Sequence, residues 1–114
     1  MTLAEILIDA LSRSRERFDR ALADVTLEQA NTPPVPDIAP RTNSLTWLAW
    51  HTAREIDLQI SLMAGQEFVW FTGGHRERFD LPLPDDTQDW RHTPEEAAQV
   101  VVGDLSVLTA YLDD

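Results

Sequence analysis

Three stretches of the chain repeat apolar residues with the period of an α-helix. Between Leu3 and Ala23, the residues Leu7, Ala10, Leu11, Ser14, Phe18, Ala21 and Leu22 fall on one stripe. Asp9, Arg13, Glu16 and Arg20 face the other way. In the pairs Asp9/Arg13 and Glu16/Arg20 the acid lies one turn before the base, the favourable order on a solvated face. Thr26-Leu27-Glu28-Gln29 can cap one short turn. Pro33, Pro34, Pro36 and Pro40 then exclude regular structure up to Arg41, because proline lacks an amide hydrogen and fixes its own backbone.

Asn43-Ser44 supplies an N-cap for a second helix running to about Ala64, with Gly65 at the position where a left-handed residue ends a helix. From Gln66 to Arg91 the pattern lapses. Gly73-Gly74, Pro82, Pro84 and Asp85-Asp86 mark a long connection, and its aromatics Phe68, Trp70, Phe71, Phe79 and Trp90 predict that it packs on the domain. The third helix has the clearest start. Thr93-Pro94-Glu95-Glu96 is a capping box with proline at the first helical position and acids in the first turn. Its apolar stripe runs through Ala97, Val101, Leu105, Leu108 and Leu112 and carries on to the end of the sequence, where no cap, glycine or proline stops it.

Helices of about 20 residues are roughly 30 Å long at 1.5 Å per residue. Three of matched length predict an all-α bundle with the helices side by side. The connection after the second is long enough to return along the bundle, which allows the second and third helices to run parallel. Residues 1–114 are therefore read as a single helical domain, incomplete at its C-terminal end.

The second helix carries polar residues where a core helix should be apolar. On its wheel Leu45, Trp47, Leu48, Ile56, Leu58, Ile60, Leu62 and Met63 form a wide apolar arc, and Thr46, Arg54, Asp57 and Ser61 the exposed face. His51, Thr52, Glu55 and Gln59 fall inside the arc as a polar ribbon. A buried carboxylate protonates or finds a partner, so Glu55 beside His51 calls for a cation, either a metal or an arginine such as Arg15. On the third helix Asp104 falls between Ala97, Val100, Leu108 and Tyr111, where it could join His51 and Glu55 inside the bundle as bundle metal sites do. Against each stands a plainer role. His51 can be a hydrogen-bonded core residue, and Asp104 can be an acceptor for a backbone amide or face solvent. His75 and His92 sit in loops with no companion at metal-ligand spacing. Asp85-Asp86 lacks the glycine and spacing of a calcium loop.

Composition narrows the chemistry. The 114 residues hold 20 acids against nine bases, a formal charge of -11, and all nine bases are arginine. Such a chain has no basic face for nucleic acid or for an anionic membrane surface. The absence of cysteine excludes a disulfide scaffold, a thiolate zinc site and a cysteine nucleophile. There is no phosphate-binding glycine loop, no nucleophile elbow and no HExxH. No basic-then-apolar leader or run of roughly 20 apolar residues is present, and a cytoplasmic address is expected.

The segment Asn43-Ser-Leu-Thr-Trp-Leu-Ala-Trp-His51-Thr-Ala-Arg-Glu-Ile-Asp57 resembles the second helix of the DinB/YfiT-like superfamily, especially its mycothiol-dependent transferase and maleylpyruvate isomerase branch. Glu67-Phe-Val-Trp70, Glu77-Arg-Phe-Asp-Leu-Pro82 and His92-Thr-Pro-Glu-Glu96 are also similar, and in the same order. The resemblance implies a DinB-like antiparallel four-helix bundle plan with a long crossover between helices two and three, of which three helices are present here. It implies a divalent metal, zinc or nickel, held by three histidines. His51 matches the first, and the other two belong to an HxxxH-type pair on a fourth helix absent from these residues. It further implies a metal-dependent thiol S-transferase or isomerase acting on a small-molecule thiol such as mycothiol and an electrophilic substrate. With cysteine absent, that thiol must come from a cofactor. Glu55 and Asp104 are then expected to orient a ligand or the substrate. The competing expectation is a non-catalytic helical module that associates as a homodimer through an open apolar side.

Overall fold

The computed structural model describes residues 1–39 and 41–114; Pro40, the last proline of the expected irregular segment, lies outside them. The described residues form helices and turns without a strand. Helix α1 (Leu3–Ala23) starts on a capping box in which Thr2 and Glu5 bond each other's backbone amides. Helix α2 (Leu27–Asn31) is the short turn capped by Thr26 and Gln29, and α3 (Leu45–Ala64) begins at Ser44. Gly65 ends α3 in the left-handed region at φ 65°, and the Gln66 amide donates back to the Ser61 carbonyl at 2.9 Å. These termini follow the caps written in the sequence.

The connection after α3 is partly helical. It holds α4 (Val69–Thr72), α5 (His75–Phe79) and a single 3-10 turn (Asp89–Arg91). Trp70 and Phe79 are buried and pack with Tyr111, their ring centroids 5.3 and 5.9 Å from it. Trp70 and Phe79 thus build the core together with Trp47, Trp50 and Leu108, Phe68 packs against it, and Phe71 and Trp90, expected to pack as well, are exposed.

The expected third helix is broken. Helix α6 (Pro94–Ala98) begins at the Thr93 capping box but stops, and α7 (Leu105–Asp113) begins afresh. Between them Val100 and Val102 are buried while Val101 is exposed, the alternation of an extended segment. The Asn31 side chain fixes it: its amide donates to the Val102 carbonyl at 2.8 Å and its oxygen accepts from the Val102 amide at 3.1 Å. Three consecutive β-branched residues followed by Gly103 favour such a break. Asp104 is consequently no inward residue of a continuous helix. It is the N-cap of α7, exposed to solvent, and its carboxylate accepts from the Ser106 amide at 2.8 Å.

The buried side of α3 is also not the one the wheel chose. Thr46, Ala49, Trp50, Ala53, Asp57 and Ser61 are buried, as is Trp47, while Leu48, Ile56, Ile60, Leu62 and Met63 are exposed. The small Ala49 and Ala53 let neighbouring elements approach, and hydrogen bonds satisfy each polar residue on that side. Thr46 donates to Asn31 at 2.8 Å. Asp57 accepts from Ser61, from the amides of Val69 and Trp70, and from the Tyr111 hydroxyl, all within 2.7–2.9 Å. On α1 the stripe turns inward only at its C-terminal half: Leu22 is buried and Phe18 half-buried, whereas Leu7 and Leu11 are exposed.

Candidate functional site

His51 lies on the second turn of α3 and Glu55 one turn further, both half-buried. The 3-10 turn of the crossover brings Asp89 beside them, fully buried. One donor atom from each of His51, Glu55 and Asp89 lies within 4.8 Å of the others. His51 Nδ1 is 2.5 Å from Asp89 Oδ2. An ionised carboxylate only accepts, so Nδ1 carries the hydrogen, and in the neutral imidazole the lone pair is on Nε2. The Trp47 ring, one turn back on α3, stacks on the imidazole at 4.6 Å and 15° and fixes its plane.

The second oxygen of Asp89 is buried and has no hydrogen-bond partner. Its nearest cation is Arg54, whose Nε stands 4.0 Å away. The Arg54 guanidinium is turned elsewhere. It donates to the carbonyls of Asp85 and Thr87 at 3.1 and 2.8 Å and lies 5.4 Å from the centre of the Trp50 ring. No hydrogen bond or ion pair among the described residues engages the Glu55 carboxylate. Arg15, its alternative partner by sequence, instead pairs with Asp19 and Asp113, each at 2.7 Å.

His92 enters the same cluster, although its loop position gave no sign of it. It accepts from Trp47 Nε1 through Nδ1 at 3.1 Å and donates from Nε2 to the Thr87 hydroxyl at 2.8 Å. Both nitrogens are therefore committed, and the ring stacks on Trp50 at 5.7 Å. Burial holds it below its ordinary 6.5, against the pull of Glu96 and Asp89 and with the help of Arg54. It serves the site as a neutral support. His75 lies elsewhere, fully buried, with Nε2 at 2.6 Å from Asp114 and its ring stacked on Tyr111.

The structure thus brings two of the three sequence candidates together, His51 and Glu55, and leaves Asp104 at the start of α7. Gln59 is exposed, so the polar ribbon ends at Glu55. Asp89 was missed because its spacing from His51 crosses the whole irregular connection. The available signal was an acid next to Trp90, just before the His92-Thr93 start of the next helix. A hard or borderline divalent cation suits the imidazole and carboxylates gathered here, and the orphaned Asp89 oxygen gives the site unspent negative charge.

Among the described residues no helix is long and apolar enough to cross a membrane. No curated protein matches the chain. A solved structure, that of a conserved protein from Enterococcus faecalis, superposes with a TM-score of 0.87 at 47% sequence identity. The match covers 99% of this chain and 64% of that one, so this chain spans about two thirds of its length. Residues 10–114, nearly the whole sequence, match the family model of the DinB superfamily, to which this chain therefore belongs.

Proposed function

We propose that this chain takes part in divalent-metal-dependent thiol chemistry, as an S-transferase or isomerase working in the cytoplasm. Its substrates are a low-molecular-weight thiol such as mycothiol and a small electrophile, and its metal is zinc or nickel. One observation carries the reading: His51 is oriented by a buried Asp89 at 2.5 Å, beside a Glu55 that no other described residue engages. A carboxylate that takes the Nδ1 hydrogen of an imidazole sets its tautomer and makes the other nitrogen a better donor. His51 Nε2 and Glu55 would hold the ion together with the histidine pair that the resemblance implies on the fourth helix, with Asp89 orienting His51. The bound ion would supply Lewis acidity that lowers the pKa of a thiol, a group the chain itself lacks. Trp47 restrains the ring plane, and His92, neutral and bonded at both nitrogens, adds no competing charge.

Calorimetric titration with Zn²⁺ or Ni²⁺ tests the assignment. Protein that includes the fourth helix with its histidine pair should bind close to one equivalent, and His51→Ala should lose that binding. Asp89→Asn should weaken it by roughly 10–100-fold, the usual effect of removing a carboxylate behind a ligating imidazole. Equal binding by the parent protein and His51→Ala would sink the reading. In protein that includes the fourth helix, consumption of a thiol in the presence of a bimane electrophile should follow the same order of variants, and the 114 residues alone should be inactive.

A second reading is favoured by a different observation. Leu3, Ile6, Leu7, Ile8 and Leu11 of α1 and Leu48, Ile56, Ile60, Leu62 and Met63 of α3 are exposed. Aliphatic rows of this extent are characteristic of association surfaces. On this reading the chain is a non-catalytic helical module that forms a homodimer, and its oligomeric state in solution decides the matter.

A further inference from the structure

A cavity of about 310 Å³ opens between α3 and the crossover, with Glu55 in its wall. Its position joins it to the His51 cluster: Gln88 and Trp90, which also line it, flank Asp89 in the chain. Leu58, Phe68, Trp70 and Phe71 make the opposite walls apolar. Two aromatics at this cavity are left open to solvent, Trp90 at 58% and Phe71 at 43% exposure. Exposed aromatic rings converging on one apolar hollow are uncommon on a soluble surface and fit a ligand that covers them. The volume lies at the small end of ligand pockets, room for one ring system with a short substituent.

Charge decides which ring system. Among the described residues the one cation lining the cavity is Arg54, and its guanidinium is already bonded to the carbonyls of Asp85 and Thr87 and faces Trp50. Asp57 is satisfied by its four donors. Asp85 pairs with Arg76 at 2.8 Å. Among the described residues Glu55 and Asp86 remain without a basic partner. A carboxylate brought into this space would meet like charge and find no free cation, whereas a hydroxyl or an ammonium group would meet acceptors.

We infer that in the metal-free chain, where no ion engages Glu55, this cavity takes a small aromatic molecule that is neutral or cationic, not an aromatic carboxylate. With the ion bound it is the electrophile or acceptor subsite of the proposed thiol chemistry, and Asp86 alone sets the charge preference. The inference rests on the metal-site reading for its role, but not for the binding itself. The test is therefore made on protein freed of metal with a chelator. Three near-isosteric probes are compared: 2-phenylethylamine, 2-phenylethanol and phenylacetate. Binding is followed by ligand-observed NMR and by the change in tryptophan emission, to which the lining residues Trp70 and Trp90 contribute with Trp47 and Trp50. The amine and the alcohol should bind saturably, and phenylacetate at least 10-fold more weakly. The double variant Glu55→Gln, Asp86→Asn should narrow that gap by admitting phenylacetate. Phe71→Ala should weaken the amine and the alcohol alike; because Phe71 is half exposed, this variant is expected to fold, which circular dichroism checks. Phenylacetate binding as tightly as the amine would overturn the inference, as would the absence of saturable binding by all three. Either failure would leave the Zn²⁺ titration of His51 untouched, and a failed titration would leave the aromatic subsite standing.

Discussion

Asp57 shows what a single carboxylate can do in this molecule. It sits on α3 and holds the start of α4 through the Val69 and Trp70 amides, and α7 through the Tyr111 hydroxyl at 2.7 Å. Burial alone would raise its carboxyl, but the bonds from Tyr111, Trp70, Val69 and Ser61 outweigh that and hold it below its ordinary 3.8. The Tyr111 hydroxyl is pushed far up, by burial and by the same carboxylate. Asp57→Ala leaves two amides and a phenol buried without an acceptor, at about 1–3 kcal/mol for each such group. We expect a loss of roughly 3 kcal/mol or more in urea unfolding. By contrast Asp9→Ala, which breaks an exposed pair with Arg13, should cost under about 1 kcal/mol. The pH dependence has a definite sign. A carboxyl lowered in the folded state stabilises above 3.8 and loses that contribution as pH falls through its folded value, so the gap between parent and Asp57→Ala should close below that range. A gap that stays constant to pH 2 would refute the assignment. None of this was visible on the wheel, which put Asp57 outside because a wheel ranks side chains by polarity. It cannot count the donors that come from residues 69, 70 and 111.

At the scale of elements, the caps were legible and the breaks were not. The boxes at Thr26 and Thr93, the Ser44 cap and the Gly65 stop are local signals, read within one turn of chain, and each stands where the sequence put it. The interruption before Asp104 depends on Asn31, which is 71 residues from Val102 in sequence. The apolar spacing of Ala97, Val101 and Leu105 therefore looked like one helix while the valines between were being used as an extended strap. His51 and Glu55 were legible for the same local reason as the caps, being one turn apart on α3. Asp89 and His92 reach the site only through the crossover. Asn31→Ala should remove both bonds to Val102 and the acceptor of Thr46, leaving buried groups unpaired at about 1–3 kcal/mol each. We expect roughly 2–4 kcal/mol of destabilisation, with early hydrogen exchange at the Val102 amide. Exchange at Val102 as slow as in the parent protein would show that the strap holds without Asn31. Replacing Gly103 by alanine meets open space and no positive backbone angle, so it should be close to neutral.

At the scale of the whole molecule, two long-range effects oppose each other when copies meet. The exposed aliphatic rows of α1 and α3 favour association, each side chain fully buried contributing about 1.5–3 kcal/mol. Against this, two chains each carrying a formal -11 repel. Treated as point charges roughly 25 Å apart, a spacing suggested by the 23–30 Å short axes, they would repel by about 20 kcal/mol in unscreened water. Screening cuts this to about 9 kcal/mol at 0.01 M salt and about 2 kcal/mol at 0.1 M, as the Debye length falls from about 30 to about 10 Å. Spreading the charge over the surface lowers all of these figures but keeps their order. Over the same range the hydrophobic contribution hardly changes. Salt therefore decides which effect wins. A homodimer built on these rows should be scarce at 10 mM salt and grow severalfold by 150 mM, and should also grow as pH approaches the isoelectric point near 4.4. Light scattering after size-exclusion chromatography reads this directly, and Ile60→Glu on α3 should shift the growth to higher salt. A species that stays monomeric at every ionic strength, or that dissociates as salt is added, would mean that the aliphatic rows are not a self-association surface.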